Sequence, residues 1–270
     1  MIASVEHGFC FLHIPKCGGS SVYDQLGGID TFGGSFRGST DKVPGGVQQK
    51  AHLPLADIRE HFPDVFEQIR PLEKIALIRD PESRFLSAFS QRAREVHGLN
   101  MDEMSDTAIR DDYYTIVAHL TERPRLPAYP FRHFIRQVEF THIDGERVVE
   151  HLVPIERLPD LLDYLSERIG VPLERAFHSN KTVAFRHRAL KGPLLRVKDR
   201  VKKHAPLGVY NRLKEAGLRV FTNQGVAPRA RTILEEAGFP AFVAQHYAAD
   251  QELRALAQTH NTLKVASHAH

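Results

Sequence analysis

Lys16, Gly18, Gly19, Ser20 and Ser21 fall within one run, Pro15-Lys16-Cys17-Gly18-Gly19-Ser20-Ser21. Glycines let backbone N–H groups approach a ligand closely, hydroxyls stand beside a positive helix end, and a lysine adds a full charge, so the run has the chemistry of a phosphate cradle. The same residues also suit an ordinary strand-to-helix turn with a solvated lysine. The pattern is not G-x-x-x-x-G-K-[ST], because here the lysine precedes the glycines. A second set is Arg79 and Ser87. Arg79 ends an apolar run, and Ser87 lies two turns into the segment that follows, so the pair can grip a second anion by charge-assisted hydrogen bonds.

A histidine with an ordinary pKa of about 6.5 suits proton removal near neutral pH, and His52, at the end of the expected strand Val47 to His52, is the candidate base. His13 reads as a satisfied core histidine within the first strand, and His61 as a solvated helix end. Glu156 is a second candidate base, although its place at the start of an amphipathic helix points to capping or structural pairing. Cys10 and Cys17 form no metal set with the histidines, and no metal is expected.

These residues need elements to carry them. Phe9 to Ile14, stopped by Pro15, and Lys74 to Arg79 read as buried strands of a parallel sheet. Ser20-Ser21 opens a short helix through Leu26. Val47 to His52 reads as a further strand, with Pro54 opening a helix through Phe62. Asp80-Pro81-Glu82 is a helix start, with a carboxylate cap and a proline in the first turn. A polar helix is expected over Asp102 to Leu120, then a proline-rich link from Pro124 to Pro130. Val138 to His142 and Arg147 to Pro154 read as strands around a turn at Asp144-Gly145. Leu158, Leu161, Leu162, Leu165 and Ile169 mark the core face of a helix stopped by Gly170, and Ala227 to Lys264 forms two or three more helices. Strands alternating with helices imply an α/β fold: a parallel sheet with helices on both faces and a helical C-terminal part. Ligands of such sheets bind outside the carboxyl ends of the strands, where Lys16, His52 and Arg79 fall.

The chain has 270 residues, 42% hydrophobic and 26% charged, which fits a single globular domain and excludes a disordered chain, a collagen-like repeat or a coiled-coil rod. No run suits a bilayer span or a signal peptide, and two cysteines make no disulfide framework, so a cytoplasmic location is expected. The net charge of +3 conceals one basic segment: Lys181 to Arg219 carries twelve Lys/Arg against two acids. Residues 186–220 are expected as a basic insertion serving as solvated surface, nucleotide lid, glycan groove or peripheral membrane contact.

Together FLHIPKCGGSS and IALIRDPESRFLSAF resemble the two cofactor motifs of the sulfotransferases that use 3′-phosphoadenosine 5′-phosphosulfate, especially the carbohydrate-type branch related to heparan sulfate 2-O-sulfotransferases. Weaker similarity continues through Asp144-Gly145, Ile155 to Leu158 and His178 to Thr182, and returns near Tyr247 and Asp250. The resemblance implies a P-loop-like fold, with Lys16, Cys17, Gly18, Gly19, Ser20 and Ser21 holding the 5′-phosphosulfate and Arg79 and Ser87 the 3′-phosphate. It places Lys16 near the bridging oxygen. His52 resembles in position the histidine that family members carry after the first loop. Lys181 and Arg186 are expected as lid contacts to the nucleotide. Cys17 stands where the family usually has Thr and brings no hydroxyl. The implied activity is sulfuryl transfer to a hydroxyl acceptor, a carbohydrate or glycoconjugate such as an anionic or lipid-linked glycan, without metal or nucleic acid. A nucleotide-dependent kinase and a noncatalytic nucleotide- or glycan-binding protein are the alternatives.

Overall fold

The computed structural model describes residues 1–38, 40–43, 46–122, 127–175, 183–185, 222–224, 228–260 and 263. Its central sheet has four strands: β1 (Ile2–Ser4), β2 (Phe9–Leu12), β5 (Glu73–Ile78) and β8 (His151–Pro154), in the order β1-β2-β5-β8. β2, β5 and β8 run parallel, with Leu12 opposite Ala76 and Ile78 opposite Pro154. Every residue of β2 is buried, as expected of a parallel strand covered on both faces. β1 pairs antiparallel with β2, so the sheet is mixed rather than wholly parallel. Only four residues link β1 to β2, too few for the crossover that parallel neighbours need.

Helix α1 (Gly19–Leu26) follows β2, α2 (Leu55–His61) and α3 (Pro63–Ile69) precede β5, and α4 (Pro81–Val96) follows it. After α5 (Asp106–Thr121) come the short α6 (Val138–Thr141) and, beyond β8, α7 (Leu158–Ile169), ended by Gly170 at φ 69. The last helices are α8 (Pro228–Glu236), α9 (Phe239–His246) and α10 (Ala248–Thr259). One core surrounds the sheet and takes in Leu161, Leu162 and Leu165 of α7 and Leu253 of α10. A second, aromatic core joins α4, α5, α8 and α9 around Phe85, whose ring lies 5.0 Å from Phe134 and 5.1 Å from Phe239.

Two expected strands are corrected. Residues 46–49 form β4 (Gly46–Gln49), which pairs with β3 (Thr40–Val43) in a separate hairpin and not with the central sheet. His52 therefore ends a 3-10 turn, Lys50–His52, instead of a sheet strand. Val138 to Thr141 is helical, because the Asp250 carboxylate accepts from the amides of Gln137 (2.8 Å) and Val138 (3.0 Å) and caps that turn from 112 residues away. The chain then makes a two-residue hairpin, β6 (His142–Ile143) with β7 (Glu146–Arg147), around Asp144-Gly145. Among the described residues, no helix is long and apolar enough to cross a membrane.

Candidate functional site

The first loop leaves β2 through a tight turn in which Ile14 N–H donates to Leu12 O. Lys16 then takes φ 65, a left-handed conformation that a residue with a Cβ adopts only under constraint. Gly18, at φ 82, heads α1, and no side chain caps that helix. Ser21 N–H turns back to Gly18 O (3.2 Å), so among the described residues the free amides of this first turn are those of Gly19 and Ser20. Gly19 is required by close approach: a Cβ there would lie 2.3 Å from His13 Cδ2.

Cys17 faces inward. Its Sγ lies 3.2 Å from Gln137 Oε1 and 3.7 Å from Pro15 O, and burial pushes the thiol up to about 12. Only its backbone remains for a ligand at the loop. The Lys16 ammonium, largely desolvated, is lowered to about 8, first by burial and then by the charges of Arg94 and Arg79, with Arg132 adding to them and Glu95 opposing. No described residue pairs with it. A cation held among cations, out of water, gains most from an approaching anion.

The second junction is built differently. Asp80 caps α4 by accepting from Ser83 N–H at 2.8 Å, as the sequence implied, and Arg254 of α10 pairs with its other oxygen at 2.6 Å. Arg79 Nε donates to Ser83 Oγ (3.0 Å) and its Nη1 to Lys16 O (3.1 Å). This last bond joins the two motifs across 63 residues of sequence, because β2 and β5 are adjacent and parallel and both loops leave the same sheet edge. Burial lowers the Arg79 pKa, and the guanidinium retains N–H groups for a ligand. Ser87 is half-buried on α4, and its hydroxyl makes no hydrogen bond to a described residue.

His52 stands between two other imidazoles, its ring 4.9 Å from that of His13 and 5.2 Å from that of His133. Its Nδ1 is enclosed and unpartnered. Burial brings His52 down to about 3, the positive charges of the Met1 amine and Arg132 adding to the effect, while a hydrogen bond to the His13 carbonyl acts the other way. His13 and His133 are also held far below the usual range by burial and then by one another's neighbour, His52. All three rings are neutral at pH 7. His13 is thus not a satisfied core residue, since its Nδ1 also lacks a partner. His61 is largely enclosed beside Glu60 rather than solvated. Glu156 is exposed and lies 3.6 Å from Arg254, the pairing role expected of it.

Sequence reasoning missed His133, Arg94, Arg132, Gln137 and the Arg84–Asp250 pair. The stretch Phe131 to Gln137 follows a proline-rich link and is too short for its apolar residues at 131, 134 and 135 to mark an element, and its one visible signal is a histidine directly after an arginine. Arg132 folds back to Glu95 at 2.9 Å and stacks 3.9 Å over the Tyr129 ring, which fixes His133 beside His52. Lys181, Arg186 and the basic segment at 186–220 lie outside the described residues. Among the described residues, no group of three or more His, Cys, Asp or Glu side chains could hold a metal ion.

A family model described as the sulfotransferase family matches residues 1–204. No curated protein and no solved structure matches the chain significantly.

Proposed function

The chain belongs to the sulfotransferase family, and from that premise we propose that it moves a sulfuryl group from 3′-phosphoadenosine 5′-phosphosulfate to a hydroxyl of a carbohydrate or glycoconjugate. The observation that carries this reading is the hydrogen bond from Arg79 to Lys16 O, which brings two anion motifs to one edge of the sheet. A donor with phosphates at both its 5′ and 3′ positions needs two such sites. The donor set is cationic and amide. That suits a sulfuryl group, which carries less negative charge than a phosphoryl group in a comparable in-line displacement.

In this reading the amides at the start of α1, with Ser20 and Ser21, hold the 5′ end, and Arg79 and Ser87 hold the 3′-phosphate. The acceptor oxygen attacks sulfur, the bond from sulfur to the 5′-phosphate oxygen breaks, and the acceptor proton passes to His52. Lys16 stabilises the charge that builds on the departing phosphate. His52 is neutral and so has a lone pair for the proton; burial and then nearby cations depress its pKa, and the donor's negative charge would offset the second of these. Lys181 and Arg186 are proposed as nucleotide contacts, and the charge of the basic segment would favour an anionic acceptor.

Two measurements test the reading. Calorimetry should show adenosine 3′,5′-bisphosphate binding at least tenfold more tightly than adenosine 5′-monophosphate, and labelled sulfate donor should mark a product in acceptor extracts. Equal affinities would remove the second anion site. Tight bisphosphate binding with no product from any extract would leave a nucleotide-binding protein, and magnesium-dependent ATP turnover would make it a kinase.

A further inference from the structure

Gln137 is fully buried, and its side-chain amide lies along the backbone of Arg79 as a neighbouring strand would. Its Oε1 accepts from Arg79 N–H at 2.9 Å, and its Nε2 donates to Arg79 O at 2.8 Å. A β ladder pairs backbone in the same way, one residue exchanging both an N–H and a C=O bond with its partner. The same Oε1 accepts the Cys17 thiol at 3.2 Å. One oxygen thus receives a donor from each of the two anion-binding loops.

The amide is itself held from behind. Gln137 N–H and Val138 N–H donate to the two oxygens of Asp250, a residue of α10 with no exposed surface. Arg84, also enclosed, lies 3.7 Å from that carboxylate and donates to Ile135 O (2.8 Å) and His133 O (3.2 Å). Arg84 sits on α4 three residues before Ser87, so the brace also sets the rotation of the helix that carries Ser87. One turn further along α10, Arg254 holds Asp80. Asp250 and Arg254 lie beyond residues 1–204, where the family model ends.

We propose that Gln137 is a positioning residue that registers the loop at Lys16 against the strand end at Arg79, with Asp250 holding it in place, and that this register gives the protein its preference for a second phosphate. The preference rests on the donor reading above, whereas the register does not. A buried amide suits the task because its fixed, planar donor and acceptor dictate both direction and distance to the strand end. An apolar side chain of similar size would fill the space and leave Arg79 N–H and C=O without partners.

The test compares wild type, Gln137→Leu and Asp250→Asn with Leu165→Ala, a core variant in α7 that serves as a control for lost stability. The affinity ratio of adenosine 3′,5′-bisphosphate to adenosine 5′-monophosphate should fall at least tenfold in Gln137→Leu, less in Asp250→Asn, and stay unchanged in Leu165→Ala. Hydrogen–deuterium exchange should accelerate in peptides covering 15–19 and 78–80 and not in β1. An unchanged ratio in folded Gln137→Leu overturns the positioning role, whatever the exchange. If Gln137→Leu fails to fold, Asp250→Asn decides by the same two readouts. If wild type itself shows no preference, the donor reading falls. Exchange then decides the register alone, acceleration in both loops supporting it and its absence sinking it.

Discussion

The loops at 15–21 and 79–83 each join one of two neighbouring parallel strands to a helix, yet they offer a ligand different chemistry. At the first, Gly18 in a left-handed conformation heads α1 with no side-chain cap, so the helix start presents backbone amides. At the second, Asp80 already accepts from Ser83 N–H, and its carboxylate occupies the positive end of α4. That end repels a second anion. In the proposed reading, binding there comes from side chains that reach past the cap, Arg79 and Ser87. A helix start binds an anion only where the chain has left it uncapped.

The largest effects should come from the groups nearest the chemistry. Lys16→Ala should lower kcat by about 10²- to 10³-fold with less effect on bisphosphate affinity, as expected of a contact that strengthens in the transition state. A rise in KM at unchanged kcat would contradict that role. His52→Ala should slow transfer about 10²- to 10⁴-fold, the range for a general base, and near-normal turnover would pass the role to a neighbour such as His133.

Next come the two junctions themselves. Arg79→Ala should weaken bisphosphate binding by about 1.5–3 kcal/mol and monophosphate binding less, since a charge-assisted bond to the second phosphate is lost while the 5′ end loses only the brace to Lys16 O. Gly18→Ala should weaken both nucleotides alike, because strain at φ 82 displaces amides that serve the shared 5′ end. Calorimetry on the four combinations sharpens the contrast, and identical profiles for the two variants would erase it.

The pH dependence has two parts. In the free protein Lys16 loses its proton near pH 8, so kcat/KM should fall as pH rises through that value, and Lys16→Arg should move the fall upward. Stability should show the opposite trend, on the acid side. His13, His52 and His133 are held below their ordinary pKa of about 6.5, so the unfolded chain binds more protons between that value and the lowered one. Stability is then complete above about pH 6.5 and declines below it, as the unfolded chain takes up protons that the folded rings refuse. Thermal unfolding from pH 7 to pH 5 measures it, and a flat melting temperature would mean that the rings titrate normally.

The smallest effect is expected at the second helix cap. Asp80→Ala should cost about 1 kcal/mol of stability through the lost cap, plus a little for the Arg254 pair. If it sharply weakened 5′-end binding instead, the division of labour between the junctions would be wrong.

Local rules in the sequence alone determined β2, β5, α4 and α7. Two buried apolar runs ended by Pro15 and Asp80, a carboxylate-proline helix start, and a leucine stripe closed by Gly170 each act within a few residues. The anion-binding reading of Lys16, Gly18, Gly19, Arg79 and Ser87 also came from residue type alone and is a proposal. Only the tertiary structure decided where His52 lies, because residues 46–49 pair with their own hairpin neighbour and release the histidine into a 3-10 turn against His13 and His133. It also decided that Val138 to Thr141 is helical, since the cap that makes it so comes from Asp250 on a distant helix, and that the Cys17 side chain turns to Gln137. Periodicity reports which face of a segment is buried, not which partner waits there. Hydrogen bonds that span 112 to 120 residues leave no local trace, and those bonds hold the two loops in register.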